Sequence, residues 1–145
     1  MTVYKRPGWA VSHIFNPALG AIVKLGLSPR GAYLLAVKGR TSGQWRVTPV
    51  NPLAFEGARY LVAPRGNTQW ARNLRAGGEA ELRRGRHHEA IRVVELADAG
   101  KPPIIRAYLA RWSAETASHF GVGKNPTDEE IARLGPTRPV FRLLP

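Results

Sequence analysis

Residues 32–64, AYLLAVKGRTSGQWRVTPVNPLAFEGARYLVAP, determine the predicted fold. Short apolar runs alternate with the turns TSGQ (41–44) and EGA (56–58), which predicts strands at 32–40, 45–55 and 58–64. Pro49 and Pro52 have no backbone N–H to donate, so the middle strand is expected to bend or to lie at a sheet edge. Strands joined by such short turns pair antiparallel, which excludes a parallel doubly wound sheet.

The rest of the chain extends this antiparallel pattern and adds helices. Further strands are predicted at 79–84, 87–96 and 139–144, and helices at 7–27, 68–76, 104–112 and after the capping box that begins at Thr127. Asn67 or Thr68 is expected to cap the second of these helices. The pattern predicts an α+β protein that is mainly β: a small antiparallel barrel with helices packed outside. We expect one domain over 1–145, with an N-terminal helical segment at 1–30 and the barrel core at 31–145.

Composition narrows the classes of protein that this chain can be. With 43% hydrophobic residues it can bury a core, and the absence of cysteine excludes disulfides, thiol catalysis and cysteine-bound metals. His87 and His88 would point to opposite faces of a strand, so no metal site is expected. No apolar run is long enough to span a membrane and no signal peptide is recognised, so we expect a cytoplasmic protein.

The chain is strongly basic. It carries 22 Lys and Arg against 10 Asp and Glu, a net charge of +12, and every acidic residue lies at Glu56 or later. Such a balance implies an anionic partner, which leaves open a nucleic acid, an anionic membrane or a polyanionic small ligand.

Two segments carry the pattern of a binding site. In GRTSGQWR (39–46), Arg40 and Arg46 flank a turn that also offers Thr41 and Ser42 to a phosphate or carboxylate. In VAPRGNTQWARNL (62–74), small residues end a strand, and a helix then places Trp70 and Asn73 on one face. An ordinary polar turn and a core tryptophan are the competing structural explanations.

Together with the strand PVFRL, the ordered segments KGRTSGQWRVTPV (38–50) and YLVAPRGNTQWARNLRAGGEAEL (60–82) resemble the deazaflavin-dependent nitroreductase and quinone reductase family of actinobacteria. The resemblance implies a split β-barrel related to the FMN-binding flavin reductases. It also implies hydride transfer from reduced coenzyme F-420, with FMN less favoured, to a quinone, a nitro compound or another conjugated acceptor. We expect such an enzyme to hold donor and acceptor in register and to exclude water.

The resemblance also implies which residues form the site. The expected cofactor-binding residues are Arg40, Thr41, Ser42, Arg46, Thr48, Ala63, Pro64, Arg65, Trp70 and Asn73. The expected substrate-side residues are His119 and Phe120, and no catalytic acid or base is assigned.

Alternative partners remain open at this stage. A basic nucleic-acid-binding module without catalysis would also explain the charge, although no recognition motif is present and we expect no nucleic-acid partner. Residues 1–30 combine Trp9, Phe15 and Leu19 with cations and no acid, which suits either peripheral membrane contact or packing on the barrel. A homodimer is a further open alternative.

Overall fold

The structure is a computed structural model that describes residues 32–77, 79–122 and 125–145, with backbone only at 113–118. The expected N-terminal helix, and the membrane contact and packing role considered for it, lie outside the described residues and stay predictions.

Strands and helices follow one another in mixed order. The strands are β1 Tyr33–Lys38, β2 Trp45–Val50, β3 Leu53–Phe55, β4 Ala58–Val62, β5 Ala80–Arg84, β6 His87–Ile91, β7 Val93–Glu95 and β8 Val140–Leu143. The α-helices are α1 Gln69–Arg75, α2 Pro102–Phe120 and α3 Asp128–Leu134, and single 3-10 turns lie at Asp98–Gly100 and Gly135–Thr137. The predicted α+β class is confirmed.

The strands form two antiparallel four-stranded sheets. Their orders are β2-β1-β5-β6 and β3-β4-β8-β7. The chain passes from the first sheet to the second at Asn51 and Pro52, so β2 and β3 are edge strands of different sheets. The single strand expected at 45–55 is therefore two strands in different sheets, whereas the edge position expected from Pro49 and Pro52 is confirmed. An edge strand suits proline, because a strand paired on one side has fewer ladder hydrogen bonds to lose.

A second crossing between the sheets was not predicted. The expected single strand at 87–96 divides at Arg92, with β6 pairing with β5 and β7 pairing with β8. The apolar and polar residues continue without a turn signal here, so the sequence pattern does not mark the division. The helix expected to end at Trp112 also differs: its backbone breaks there (φ −133°, ψ 35°), and helix resumes to Phe120.

Two apolar clusters form the core. Leu35, Leu61 and Phe141 are among the residues that fill the space between the sheets and α1, whereas Val62, Tyr108 and others fill the space between the second sheet and helices α2 and α3. Neighbouring residues of β4 and β8 point to different clusters because strand side chains alternate. The second sheet is therefore covered on both faces.

The N-terminal cap of α3 agrees with the prediction from the sequence, whereas the cap of α1 does not. Thr127 and Glu130 form the expected reciprocal capping box. Thr68 occupies the N-cap position of α1, but its hydroxyl makes no capping bond. Asn67 instead accepts a hydrogen bond from Arg75 Nη1 at 3.0 Å.

Arg75 fixes the end of α1 to β7 through two hydrogen bonds to the Glu95 carboxylate, both 2.7 Å. These bonds hold the pKa of Glu95 below its ordinary value. A lowered carboxylate pKa adds stability above the unfolded-state pKa of about 4.3, and that stability is lost as pH falls through the folded-state pKa. We therefore expect Glu95→Gln to lower the free energy of unfolding at pH 7 by up to about 1 kcal/mol.

Denaturant titrations from pH 7 to pH 3 measure this difference, which should shrink towards the acidic end. Glu56→Gln is the control, because no described residue forms an ion pair with Glu56. A pH-independent difference would show that the charge of Glu95 contributes nothing.

Among the described helices, none has the length and hydrophobicity needed to span a lipid bilayer. No cluster of three or more potential metal ligands occurs in the described part of the chain either.

Candidate functional site

A cavity of about 570 Å³ lies between the turn after β1, the edge strand β2, the end of β4 and helix α1. In the part of the chain that the structure describes, the walls come from one stretch, since every described lining residue falls between Gly39 and Asn73. The lining residues are Gly39, Arg40, Thr41, Ser42, Arg46, Val47, Thr48, Pro49, Val50, Val62, Pro64, Arg65, Thr68, Gln69, Trp70 and Asn73.

The turn at 39–44 is closed by its own backbone. Gly39 N donates to Gln44 O at 2.8 Å, and Gly43 N donates to Gly39 O at 3.0 Å. Gly43 has φ +71°, a conformation that L-residues rarely adopt. A Cβ at Gly39 would lie 2.8 Å from Ser42 Oγ, so a side chain there would displace the hydroxyl. The turn therefore requires glycine at both positions to keep its hydroxyls and arginines together.

Helix α1 holds this turn through Asn73, which is buried, with only 5% of its surface exposed. Asn73 Oδ1 accepts from the backbone N of Arg40 at 3.0 Å and from its Nη1 at 2.7 Å. Gln69 Oε1 accepts from the same Nη1 at 2.9 Å. Because two amides hold one edge of the guanidinium, the direction of Arg40 is set by α1.

Positive charge at the cavity is not neutralised by neighbouring acids. Arg46 lies on β2 opposite Val37, and Arg65 follows the end of β4. No aspartate or glutamate is among the lining residues. Within the described part of the chain, none of the ion pairs involves Arg40, Arg46 or Arg65. These three arginines can therefore bind an anion without first breaking a salt bridge.

A second group of lining residues is apolar. Val50, Val62 and Pro64 are buried, and Trp70 is partly buried against the first core cluster. The Trp70 ring lies 6.0 Å from that of Phe141, measured between centroids. Trp70 therefore combines the two roles considered for it, since one side packs on the core and the residue also lines the cavity. A flat ring would find a preformed surface here.

The structure brings most of the expected site residues together. All the expected cofactor-binding residues except Ala63 line the cavity. Ala63 is fully buried in the first core cluster. The expected substrate-side residues do not line it either: Phe120 is 2% exposed and packs 6.0 Å from the Tyr108 ring, while the backbone carbonyl of His119 accepts from Arg138.

Sequence reasoning missed several contributors to the cavity. Gln69 adjoins Trp70 in the sequence, and the Arg40 contact gives it a role that the helix pattern alone does not suggest. Val47 and Pro49 were considered only as strand residues, although edge strands leave one side open to a ligand. A glycine-rich basic turn followed by a strand at a sheet edge is the signal that could have identified them.

Comparisons with known proteins agree with this fold. The family model described as F420H(2)-dependent quinone reductase matches residues 15–132. No curated protein matches the sequence.

Solved structures with the same fold share little sequence with this chain. The structure of an F420-H2 dependent reductase, FDR-A, has 18% identity and a TM-score of 0.55, covering 79% of this chain and 95% of its own. A structure described as a domain-swapped dimer has 16% identity and a TM-score of 0.56, covering 94% and 98%. Atu2129 of Agrobacterium tumefaciens, of unknown function, has 18% identity and a TM-score of 0.57, covering 89% and 53%.

These structural likenesses establish the split-barrel fold, and the family match extends over most of the chain. The chain therefore belongs to the F420H(2)-dependent quinone reductase family, a family of oxidoreductases whose cofactor is coenzyme F420.

Proposed function

We propose that the cavity at 39–73 holds coenzyme F-420, and that the chain reduces a quinone, a nitro compound or another conjugated acceptor there. One observation carries this proposal: the cavity lining combines arginines and hydroxyl side chains with apolar side chains that include Trp70. The cofactor has the matching division, a polyanionic tail and a flat aromatic head.

The donor set fits the cofactor's anionic end. Arg40, Arg46 and Arg65 supply guanidinium groups, which bind phosphate and carboxylate through paired N–H donors. Thr41 and Ser42 add hydroxyls at the same turn. No lining acid would repel a phosphodiester or a glutamate tail. The residues present therefore suit an anion with several charges.

When bound, the reduced cofactor would supply the hydride; the chain's own residues would bind and orient the reactants. The side-chain amides of Gln69 and Asn73 fix the direction of Arg40. The apolar lining at Val62, Pro64 and Trp70 would exclude water from one side of the bound reactants. Holding donor and acceptor in a fixed geometry removes much of the entropic barrier to transfer. The expected substrate residues His119 and Phe120 take no part in this proposal, because neither lines the cavity.

Fluorescence titration of oxidised F-420 with the full chain tests the proposal. We expect saturable quenching or polarisation change, and at least about ten-fold weaker binding of FMN, because FMN has one phosphate and no glutamate tail to contact the arginines. An unchanged F-420 signal at micromolar protein would refute the proposal. Retention of single-stranded DNA that falls steeply with salt, without F-420 binding, would favour the nucleic-acid alternative instead.

We also propose that the chain forms a homodimer. A split-barrel structure that covers 94% of this chain is described as a domain-swapped dimer, which supports the proposal. Light scattering after size-exclusion chromatography should give twice the 15.9 kDa of the chain. A mass of one chain across the concentration range would contradict it.

A further inference from the structure

Arg138 lies just before β8 and donates to three separate parts of the molecule. Its Nε donates to Pro64 O at 2.8 Å, and its Nη2 donates to His119 O at 2.7 Å. Its Nη1 donates to Thr137 Oγ1 at 2.8 Å. The guanidinium carbon lies 5.5 Å from the centre of the Phe120 ring. One side chain thus joins the end of β4, the end of α2 and the last 3-10 turn.

These contacts hold a charge that no described carboxylate neutralises. Within the described ranges, the ion pairs do not include Arg138, and burial lowers its pKa. A partly buried charge is costly unless its donors are satisfied. Here two carbonyls and a hydroxyl accept from three of the five N–H donors, one on each nitrogen, and His119 O lies at the C-terminal end of α2, where the helix dipole favours a cation. The arrangement is that of a positioning group rather than a solvated surface cation.

The segment that Arg138 holds is the one that carries Arg65 into the cavity. Ala63 N donates to Pro139 O at 3.0 Å on one side of Pro64. On the other side, Gly66 has φ +102°, and a Cβ there would lie 3.4 Å from Thr137 O. Residues 63–66 therefore lie against residues 137–139. Arg65 is exposed between these fixed points, so the orientation of the Pro64 carbonyl constrains the peptide from which its side chain starts.

We propose that Arg138 is a positioning residue of the cofactor cavity, which acts by fixing the Pro64 carbonyl and hence the direction of Arg65. The inference rests on the proposed function of the cavity as the F-420 site. Arg138 itself is not among the lining residues, so its effect on the cofactor is exerted through the 63–66 segment. Without the guanidinium, the Pro64 carbonyl loses this hydrogen bond, and the peptide before Arg65 is held only by the contacts of Ala63 and Gly66.

A double-mutant cycle separates positioning from general support of the fold. F-420 dissociation constants are measured by fluorescence polarisation for the wild type, Arg138→Met, Arg65→Met and the double variant. We expect Arg138→Met to weaken F-420 binding about ten-fold, because a displaced Arg65 would lose one charged hydrogen bond to the cofactor. In the double variant we expect little loss beyond that of Arg65→Met, because residues that act together are not additive. Unchanged binding by Arg138→Met, or fully additive losses, would overturn the inference.

Controls keep the cycle interpretable. Arg142→Met removes an exposed arginine from β8 and should leave F-420 binding unchanged, and thermal unfolding shows that each variant is folded at the assay temperature. If Arg138→Met does not fold, Arg138→Lys replaces it in the cycle. Lysine keeps the charge but cannot span all three acceptors, so its affinity should also fall; wild-type affinity would overturn the inference. A wild type that binds no F-420 refutes the proposed function and this inference with it, whereas wild-type binding with an unchanged Arg138 variant refutes the inference alone.

Discussion

Replacing both Arg46 and Arg65 with methionine should weaken F-420 binding by about a hundred-fold or more, with no comparable loss of stability. Both side chains line the cavity, and no described residue pairs with either as a counter-ion. Each substitution removes at least one charged hydrogen bond to the anionic tail. The loss of one such bond weakens affinity by about ten-fold or more. Methionine keeps much of the apolar stem, so the fold loses little packing. Fluorescence titration measures the affinity, and thermal unfolding measures the stability.

The salt dependence of F-420 binding is a second measure of the effect of this double substitution. Wild-type affinity should fall with added salt, and the double variant should show a shallower dependence because fewer charged contacts remain. The matched control replaces both Arg86 and Arg142 with methionine, since it also removes two exposed arginines and neither lines the cavity. Equal losses of F-420 affinity in the control and in the double variant would mean that net charge alone, rather than the position of Arg46 and Arg65 in the cavity, attracts the cofactor.

Asn73→Leu should have the second largest effect and should lower both stability and cofactor affinity. The substitution leaves the Arg40 backbone N without its acceptor and removes one of two acceptors from Nη1. Loss of a partner for a partly buried donor costs about 1–3 kcal/mol. The turn at 39–44 then loses its attachment to α1, so F-420 should bind at least about ten-fold more weakly. Chemical denaturation and fluorescence titration give the two quantities.

Two neighbouring substitutions test the cause. Asn73→Asp keeps an acceptor for Arg40 and should recover most of the stability lost in the leucine variant. Gln69→Leu removes only the 2.9 Å contact to Nη1 and should cost less than Asn73→Leu in both measurements. If Asn73→Asp is as unstable as Asn73→Leu, the hydrogen bonds to Arg40 are not what makes this position important.

Local patterns in the sequence predicted most of the strands. The runs at 32–40, 58–64 and 139–144 each contain the observed strand, because each is short, apolar and bounded by turn residues. The pair Pro49 and Pro52 predicted an edge and a bend through a property of the proline ring itself. The division at Arg92 was missed, because it depends on β8 lying between β4 and β7 and offering β7 a partner. No local pattern reports where a distant strand lies.

The candidate site shows the same limit. The turn at 39–46 and the segment at 62–74 each contain their ligand-type residues within a few positions, so both could be found by pattern. The contacts that organise them are long-range: Asn73 bonds to Arg40 across 33 positions, and Arg138 bonds to Pro64 across 74. Asn73 was expected to bind the cofactor, yet its side-chain oxygen already accepts hydrogen bonds from two donors of Arg40. Which groups a side chain has left to offer depends on the tertiary structure.

All the described cavity-lining residues lie between Gly39 and Asn73, and this has a consequence for how the protein folds. Bringing together residues so near in the chain requires closing only modest loops, so the entropic cost of assembling the walls is small. The last strand, by contrast, joins the sheet only after a much longer loop has closed, and contacts of that kind form slowly. We therefore expect a refolding chain to gather its cavity walls early and to acquire tight cofactor affinity only in the final, slower phase, when β8 docks and Arg138 reaches Pro64.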